Sequence, residues 1–250
     1  MGGDWTALAG KTALITGGGK RLGRAIALRF AREGVHVALH HNTSAGDAGD
    51  TAREARRLGV NAWLFQADLR EPEAAADLVG RAAGVCGGLD MLVNNASIFG
   101  EDTLAEATVG SVEENVRINA LSPMFAARAF AAQGRPGAVL NLLDTMTMDY
   151  DRRHASYHLS KRMLQTITRM MALEYAPGIR VNAVSPGLVL PPAGKDDTYL
   201  ESLAHSNPLH RHGSEEGVAE AAVFLMRGGF ITGQTIYVDG GRHLRGHVYE

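Results

Sequence analysis

The hydrophobic period of this chain switches between two values from end to end. Short, nearly continuous apolar runs occur at Thr12–Thr16, Val35–His40, Ala62–Phe65, Leu89–Val93, Ala138–Leu143, Arg180–Val184 and Thr235–Val238. Between them lie segments of helical spacing. The first carries Ile26, Ala27, Phe30 and Ala31, and the others span 46–58, 72–84, 111–132, 154–176 and 214–226. Apolar strands that alternate with helices are buried in a parallel sheet with helices on both faces. No change of composition marks a linker, and no internal repeat interrupts the pattern. The 250 residues are therefore read as one α/β domain. One irregular stretch, 187–213, is rich in Pro, Gly, His and Asp. It follows the carboxyl end of a strand, where ligands bind in such sheets, and is expected to be a lid.

Composition removes several other classes. With 45% hydrophobic and 21% charged residues, the chain can bury a core and is not disordered. No apolar run approaches the roughly 18 residues of a membrane span. A net charge of −2 argues against a nucleic-acid surface built on bulk positive potential. Cys86 is the single cysteine, which excludes an internal disulfide framework and a cysteine-cluster metal site. His210 with His212, and His243 with His247, are close pairs without a third ligand at a suitable spacing, so no metal is expected. Met163, Met170 and Met171 are expected to pack against the sheet or a second subunit. Met1 to Thr6 lacks the apolar stretch of a signal peptide. It fits a short myristoylation pattern, but no polybasic stretch follows to reinforce an anchor, and the match is read as chance. A soluble cytoplasmic protein is the expectation.

Thr16-Gly17-Gly18-Gly19-Lys20-Arg21-Leu22-Gly23 joins the first strand to the first helix. Glycines there allow positive φ and let backbone approach a pyrophosphate at a helix N-terminus. Such a turn alone is only a tight turn; in a βαβ unit it points to a dinucleotide. The end of the second strand reads His40-His41-Asn42-Thr43-Ser44, where an NAD site carries a carboxylate. Nothing there repels a 2′-phosphate, and His40, Thr43 and Ser44 can donate to it while Lys20 and Arg21 add positive charge. The expected cofactor is NADPH.

Tyr157 and Lys161 are four residues apart and share one helix face. A phenol in water has a pKa of about 10. A lysine ammonium about 4 Å away contributes roughly 4 kcal/mol at an effective dielectric of 20, or about three pKa units. That is enough to make the phenol a proton donor near neutrality.

The order of these motifs resembles the short-chain dehydrogenase/reductase family across nearly the whole chain. The matching positions are the glycine turn, Asp68, Asn94-Asn95-Ala96, Asn119, Tyr157-x-x-x-Lys161 and Pro186-Gly187. The resemblance implies one doubly wound Rossmann domain with a seven-stranded sheet, usually in a homotetramer. It implies that Tyr157 donates the proton and that Lys161 holds the nicotinamide ribose and lowers the tyrosine pKa. Asn119 would support a water that relays protons to Lys161. Asp68 and Asn95 would contact the adenine side. The remaining cofactor contacts would come from Gly17, Leu22, Asn42, Leu69, Ala96, Ser97, Pro186 and Gly187.

Three departures from the family pattern bear on the substrate. The family has Ser thirteen residues before the tyrosine, where this chain has Asp144. An ionised carboxylate would repel a nascent alkoxide, but it suits a substrate with ring nitrogens that must gain a proton. A shifted register, with Thr145 or Thr147 as the hydroxyl, is the alternative. Arg21 replaces a glycine of the turn and can reach a phosphate or a substrate carbonyl beside it. Ser97 replaces a glycine after Asn95-Ala96, and Phe99 follows. Phe99 could stack a planar heterocycle against the nicotinamide, with Ser97 bonded to its amino group; otherwise it is a loop aromatic covering the core.

All three departures occur together in the pteridine reductase branch of the family, which this chain resembles. Thr43 replaces the arginine that some members use for the 2′-phosphate. The tail Asp239 to Arg245 is similar to that of bacterial dihydromonapterin reductases. The reaction implied is NADPH-dependent reduction of a dihydropterin, with dihydrofolate as a further substrate. Leu188, with Leu190, Pro191 and Tyr199, is expected to form the lid's apolar wall. Arg242 and Arg245 are expected to reach a neighbouring subunit. A ketone reductase of 3-oxoacyl type and a non-catalytic NADPH sensor are the other readings.

Overall fold

A computed structural model describes residues 7–150, 152–192 and 194–247, with side chains through Leu244. The Met1–Thr6 motif and the side chains of Arg245 and His247 lie outside the described residues. Seven parallel strands form one sheet in the order β3-β2-β1-β4-β5-β6-β7. They are β1 (Thr12–Ile15), β2 (His36–His41), β3 (Ala62–Gln66), β4 (Met91–Asn94), β5 (Gly137–Leu142), β6 (Ile179–Pro186) and β7 (Thr235–Val238). The order reverses between β1 and β4, whose pairing sets Ile15 opposite Val93. The crevice beyond the carboxyl ends of these two strands is where such sheets bind ligands.

The helices are α1 (Arg21–Arg32), α2 (Ala45–Arg57), α3 (Pro72–Cys86), α4 (Val109–Val116), α5 (Ser122–Ala131), α6 (Ala155–Glu174), α7 (Asp197–Ser202) and α8 (Glu215–Arg227). Because β1, β4 and β5 are buried along their whole length, both sheet faces need covers. One cover joins Ile26 and Phe30 of α1, Ala52 and Ala55 of α2, and Val218 and Ala222 of α8 to Val37 and Leu140. The other joins Leu78 of α3, Phe130 of α5, and Leu164 and Met171 of α6 to Leu92 and Val181. Met171 thus packs on the sheet, whereas Met163 and Met170 face outward.

Two segments differ from the periodicity reading. The expected helix 111–132 is two helices joined by a π-turn at Arg117–Leu121, which centres on Asn119. The stretch 187–213 is not irregular throughout: it contains α7 and a 3₁₀ turn at Ala204–Ser206. Asp196 caps α7 by accepting from Thr198 N at 3.1 Å, and Leu200 is buried beneath it. The segment is tied back at its far end, where Gly213 N donates to Leu188 O at 2.8 Å.

Candidate active site

The glycine turn is held from three sides. Gly17 N donates to His40 Nδ1 at 3.1 Å, and Gly18 N to His40 O at 3.0 Å. Asn95 Nδ2 donates to Thr16 O at 2.9 Å and Gly17 O at 3.2 Å. Thr16 Oγ1 accepts from Asn95 N at 2.9 Å and Ala96 N at 3.0 Å. Gly23 packs so closely on the turn that a Cβ there would stand 2.1 Å from Gly17 O. The result is a backbone cradle at the start of α1, with no acidic side chain in its first turn to oppose an anion.

A second cluster forms where β5, the turn after it and α6 meet. Asp144 lies two residues beyond β5, and its carboxylate accepts from Met146 N at 2.8 Å, which caps the 3₁₀ turn Thr145–Met148. Tyr157 OH donates to its other oxygen at 2.9 Å. Lys161, one turn further along α6, donates from Nζ to Leu142 O at 2.8 Å and lies 5.7 Å from the Tyr157 ring centre. Burial pushes the proton affinity of Asp144 up, against the pull of its hydrogen bonds and of Lys161 and Arg242. Burial lowers Lys161 to about 8.

Asn119 braces this cluster from the π-turn. Its Oδ1 accepts from Ser97 Oγ at 3.0 Å and Ile98 N at 2.9 Å, and its Nδ2 donates to Ile98 O at 3.1 Å and Ser160 Oγ at 3.0 Å. Phe99 stacks on His154 with centroids 4.2 Å apart and meets Tyr157 edge-on at 4.7 Å. It is half exposed, so it borders the site rather than covering the core. Asp102 secures this loop to the start of α6: its carboxylate accepts from Ser156 N at 3.0 Å, from the Ser156 hydroxyl, and from Ser111 Oγ at 3.0 Å.

Among known proteins, a model of the enoyl-(acyl carrier protein) reductase family matches residues 19–243. An uncharacterized oxidoreductase of Mycobacterium tuberculosis is 36% identical over 252 residues, covering 95% of this chain and 94% of that protein. The chain belongs to the short-chain dehydrogenase/reductase family. Members of this family are NAD(P)-dependent oxidoreductases. The 3-oxoacyl-[acyl-carrier-protein] reductase of Staphylococcus aureus is 30% identical, covering 94% of this chain and 98% of the relative. Among solved structures, alternative dihydrofolate reductase 1 of Brucella suis in complex with NADP superposes with a TM-score of 0.90 at 32% identity. That match covers 97% of this chain and 98% of the other. The Brucella canis counterpart complexed with NADP gives 0.88 at 32% identity, over 98% and 97%.

Seen within this family, several sequence expectations need correction. His40 does not face a 2′-phosphate. It is 2% exposed, with Nδ1 on Gly17 N and Nε2 3.1 Å from Ala67 O, so both ring nitrogens are engaged. Burial lowers it to about 4, so it is a neutral clamp. That leaves exposed Asn42 and Thr43, with half-buried His41 and Ser44, at the end of β2. The Arg21 guanidinium donates from Nη2 to Pro191 O at 2.6 Å. Its φ of 53° is the left-handed conformation that a glycine would adopt without strain. The Asn95 amide nitrogen is taken by Thr16 O and Gly17 O.

The other expected residues fall as follows. Lys20 is exposed and Leu22 half-buried beside the cradle. The Asp68 carboxylate is held by Arg70, whose Nη2 stands 2.5 Å away, and this pairing keeps it below the usual carboxylate range. Leu69 is buried and its carbonyl accepts from Ser122 Oγ at 2.7 Å. Ala96 and Ser97 follow β4. Pro186 ends β6, and Gly187 sits so close to Asp239 that a Cβ would lie 2.6 Å from Asp239 Cβ. Leu188, Leu190, Pro191 and Tyr199 are half-buried. Arg242 acts electrostatically on Asp144. Thr145 and Thr147 are not free hydroxyls: Thr145 donates to Asp239, and Thr147 to Asp144 O at 2.9 Å. Among the described residues, no group of three His, Cys, Asp or Glu could hold a metal, and no helix is long and apolar enough to cross a membrane.

Proposed function

We propose that this protein is an NADPH-dependent pterin reductase that converts a dihydropterin to the tetrahydro form. The observation that carries the reading is the carboxylate of Asp144 on the Tyr157 hydroxyl at 2.9 Å. Two unit charges about 4 Å apart at an effective dielectric of 20 interact by roughly 4 kcal/mol, so an ionised Asp144 would oppose an alkoxide formed there. Burial favours its protonated form, which can hand a proton through the phenol to a ring nitrogen.

The residues present fit a dinucleotide. The Gly17–Gly23 cradle has no room for side chains at Gly18, Gly19 or Gly23, where a Cβ would meet Leu39, Ala48 and Gly17 within 3 Å. The cradle would hold the pyrophosphate, Lys161 the nicotinamide ribose, and Asn42, Thr43 and Ser44 with Lys20 the 2′-phosphate end. When bound, NADPH supplies the hydride, which is delivered to an electron-poor C=N carbon. Phe99 offers its free face to a planar ring, and His154 fixes the ring of Phe99 from behind. Tyr157 and Asp144 supply the proton, and charged Lys161 favours its release from the phenol. Pro191, bonded to Arg21, and residues 194–213 would cover the site. Support comes from the Brucella dihydrofolate reductases with NADP.

The ketone-reductase reading draws support from the Staphylococcus aureus relative. It requires a hydroxyl donor beside Tyr157, and both nearby threonines are engaged elsewhere. NADPH consumption with dihydrobiopterin, dihydrofolate and an acetoacetyl thioester tests the choice. Turnover of the dihydropterin, reduced on the order of 100-fold in Asp144→Asn, is the expected result. Turnover of the thioester alone refutes it. A homotetramer is part of the proposal, since α6 presents Leu159, Met163, Met170 and Leu173 outward.

A further inference from the structure

The turn that carries Asp144 buries two threonines, Thr145 and Thr147. Besides the bond of Asp144 to Tyr157, the turn is tied to the C-terminal segment. Thr145, which is buried, donates its hydroxyl to Asp239. Asp239, 7% exposed, gathers four further contacts: Gly241 N at 2.9 Å, His243 N at 2.8 Å, and His243 Nδ1 at 3.1 and 2.9 Å from its two oxygens. The His243 ring stacks on Tyr237 at 4.1 Å. Gly187 is glycine because Asp239 occupies the space of its Cβ. One carboxylate therefore ties the end of β7, the 3₁₀ turn that opens with Arg242 and the 3₁₀ turn that follows Asp144. Arg242, set by this grip, acts electrostatically on Asp144.

We propose that Asp239 is a positioning residue of the active site. By accepting the Thr145 hydroxyl it holds the turn that aims Asp144 at Tyr157, and by binding the backbone on either side of Arg242 it places that charge at the rim. Thr145 touches neither the glycine cradle nor Gly187, so its loss acts on the reaction and not on cofactor binding, whereas Asp239 also packs on Gly187. The inference deepens the proposed function and rests on it for the role of Asp144.

Thr145→Val removes the donor with little change of volume. We expect kcat to fall on the order of 10- to 100-fold, the cost of an ångström-scale misplacement. NADPH affinity, read by nucleotide fluorescence, should change less than about twofold, and Thr145→Ser should restore the rate. Asp239→Asn should lower kcat likewise. Undiminished kcat in Thr145→Val overturns the inference, as does a rate loss matched by equal loss of NADPH affinity. Each variant is assayed with dihydrobiopterin and with an acetoacetyl thioester. Wild-type turnover of the thioester alone, with the same loss in Thr145→Val, refutes the pterin reading and keeps the clamp. Wild-type turnover of neither substrate refutes both.

Discussion

Buried His40 makes acid sensitivity of the cofactor turn a quantitative expectation. Its imidazole accepts from Gly17 N and lies against Ala67 O, and burial lowers it to about 4 from 6.5 in an unfolded chain. The folded state therefore binds fewer protons than the unfolded state between those values. Stability from this group is fully present above about pH 6.5 and is lost as pH falls toward 4. Between about pH 7.5 and pH 5 the loss is roughly 2 kcal/mol, at about 1.36 kcal/mol per pH unit. His40→Phe fills the space but leaves Gly17 N and Ala67 O without partners, at a cost of about 1–3 kcal/mol each. Urea unfolding followed by Trp63 fluorescence should place the variant roughly 3 kcal/mol below the wild type at about pH 7.5. The gap should narrow by roughly 2 kcal/mol at about pH 5. NADPH affinity of the wild type should hold down to about pH 5 and weaken only as pH falls toward 4, where the folded His40 is protonated and Nδ1 can no longer accept from Gly17. Parallel stability curves for the two proteins across this range would refute the clamp.

Further expectations concern the site and its supports. Because Lys161 is lowered to about 8, the rate of NADPH oxidation should fall as pH rises through that value; a flat profile to about pH 9.5 contradicts the role of its charge. Gly23→Ala drives a Cβ to within 2.1 Å of Gly17 O, so NADPH binding by fluorescence titration should be lost while the far-UV spectrum is kept. Arg21→Gly relieves a left-handed residue at a φ of 53° and should raise stability by about 1 kcal/mol in thermal unfolding, despite the lost bond to Pro191. Phe99→Ala should raise KM for a dihydropterin with little effect on NADPH affinity, as measured by initial rates.

Much of the architecture was legible in the chain because apolar periodicity is a local property. The strand β5, buried at all six positions, and the helix α6, with Tyr157 and Lys161 on one face, follow from spacing alone. So does the pairing of a glycine turn with the first helix. The differences share a cause: a polar side chain that the sequence offers to a ligand can be used by the fold itself. His40 stands at a strand end in both descriptions, but only the register of β2 on β3 sets Ala67 within reach of its ring. Arg21 sits in the turn as expected, yet its guanidinium meets a carbonyl 170 residues away.

The order of residues by itself determined the parallel sheet, the cradle for a phosphate and the presence of a carboxylate thirteen positions before the tyrosine. Tertiary structure alone decided that this carboxylate faces the phenol and that the adjacent threonine serves a tail aspartate 94 residues away. The physical reason is range. Hydrophobic period is set by neighbours three or four residues apart, whereas a hydrogen bond between distant segments exists only after the layers that bring them together have packed.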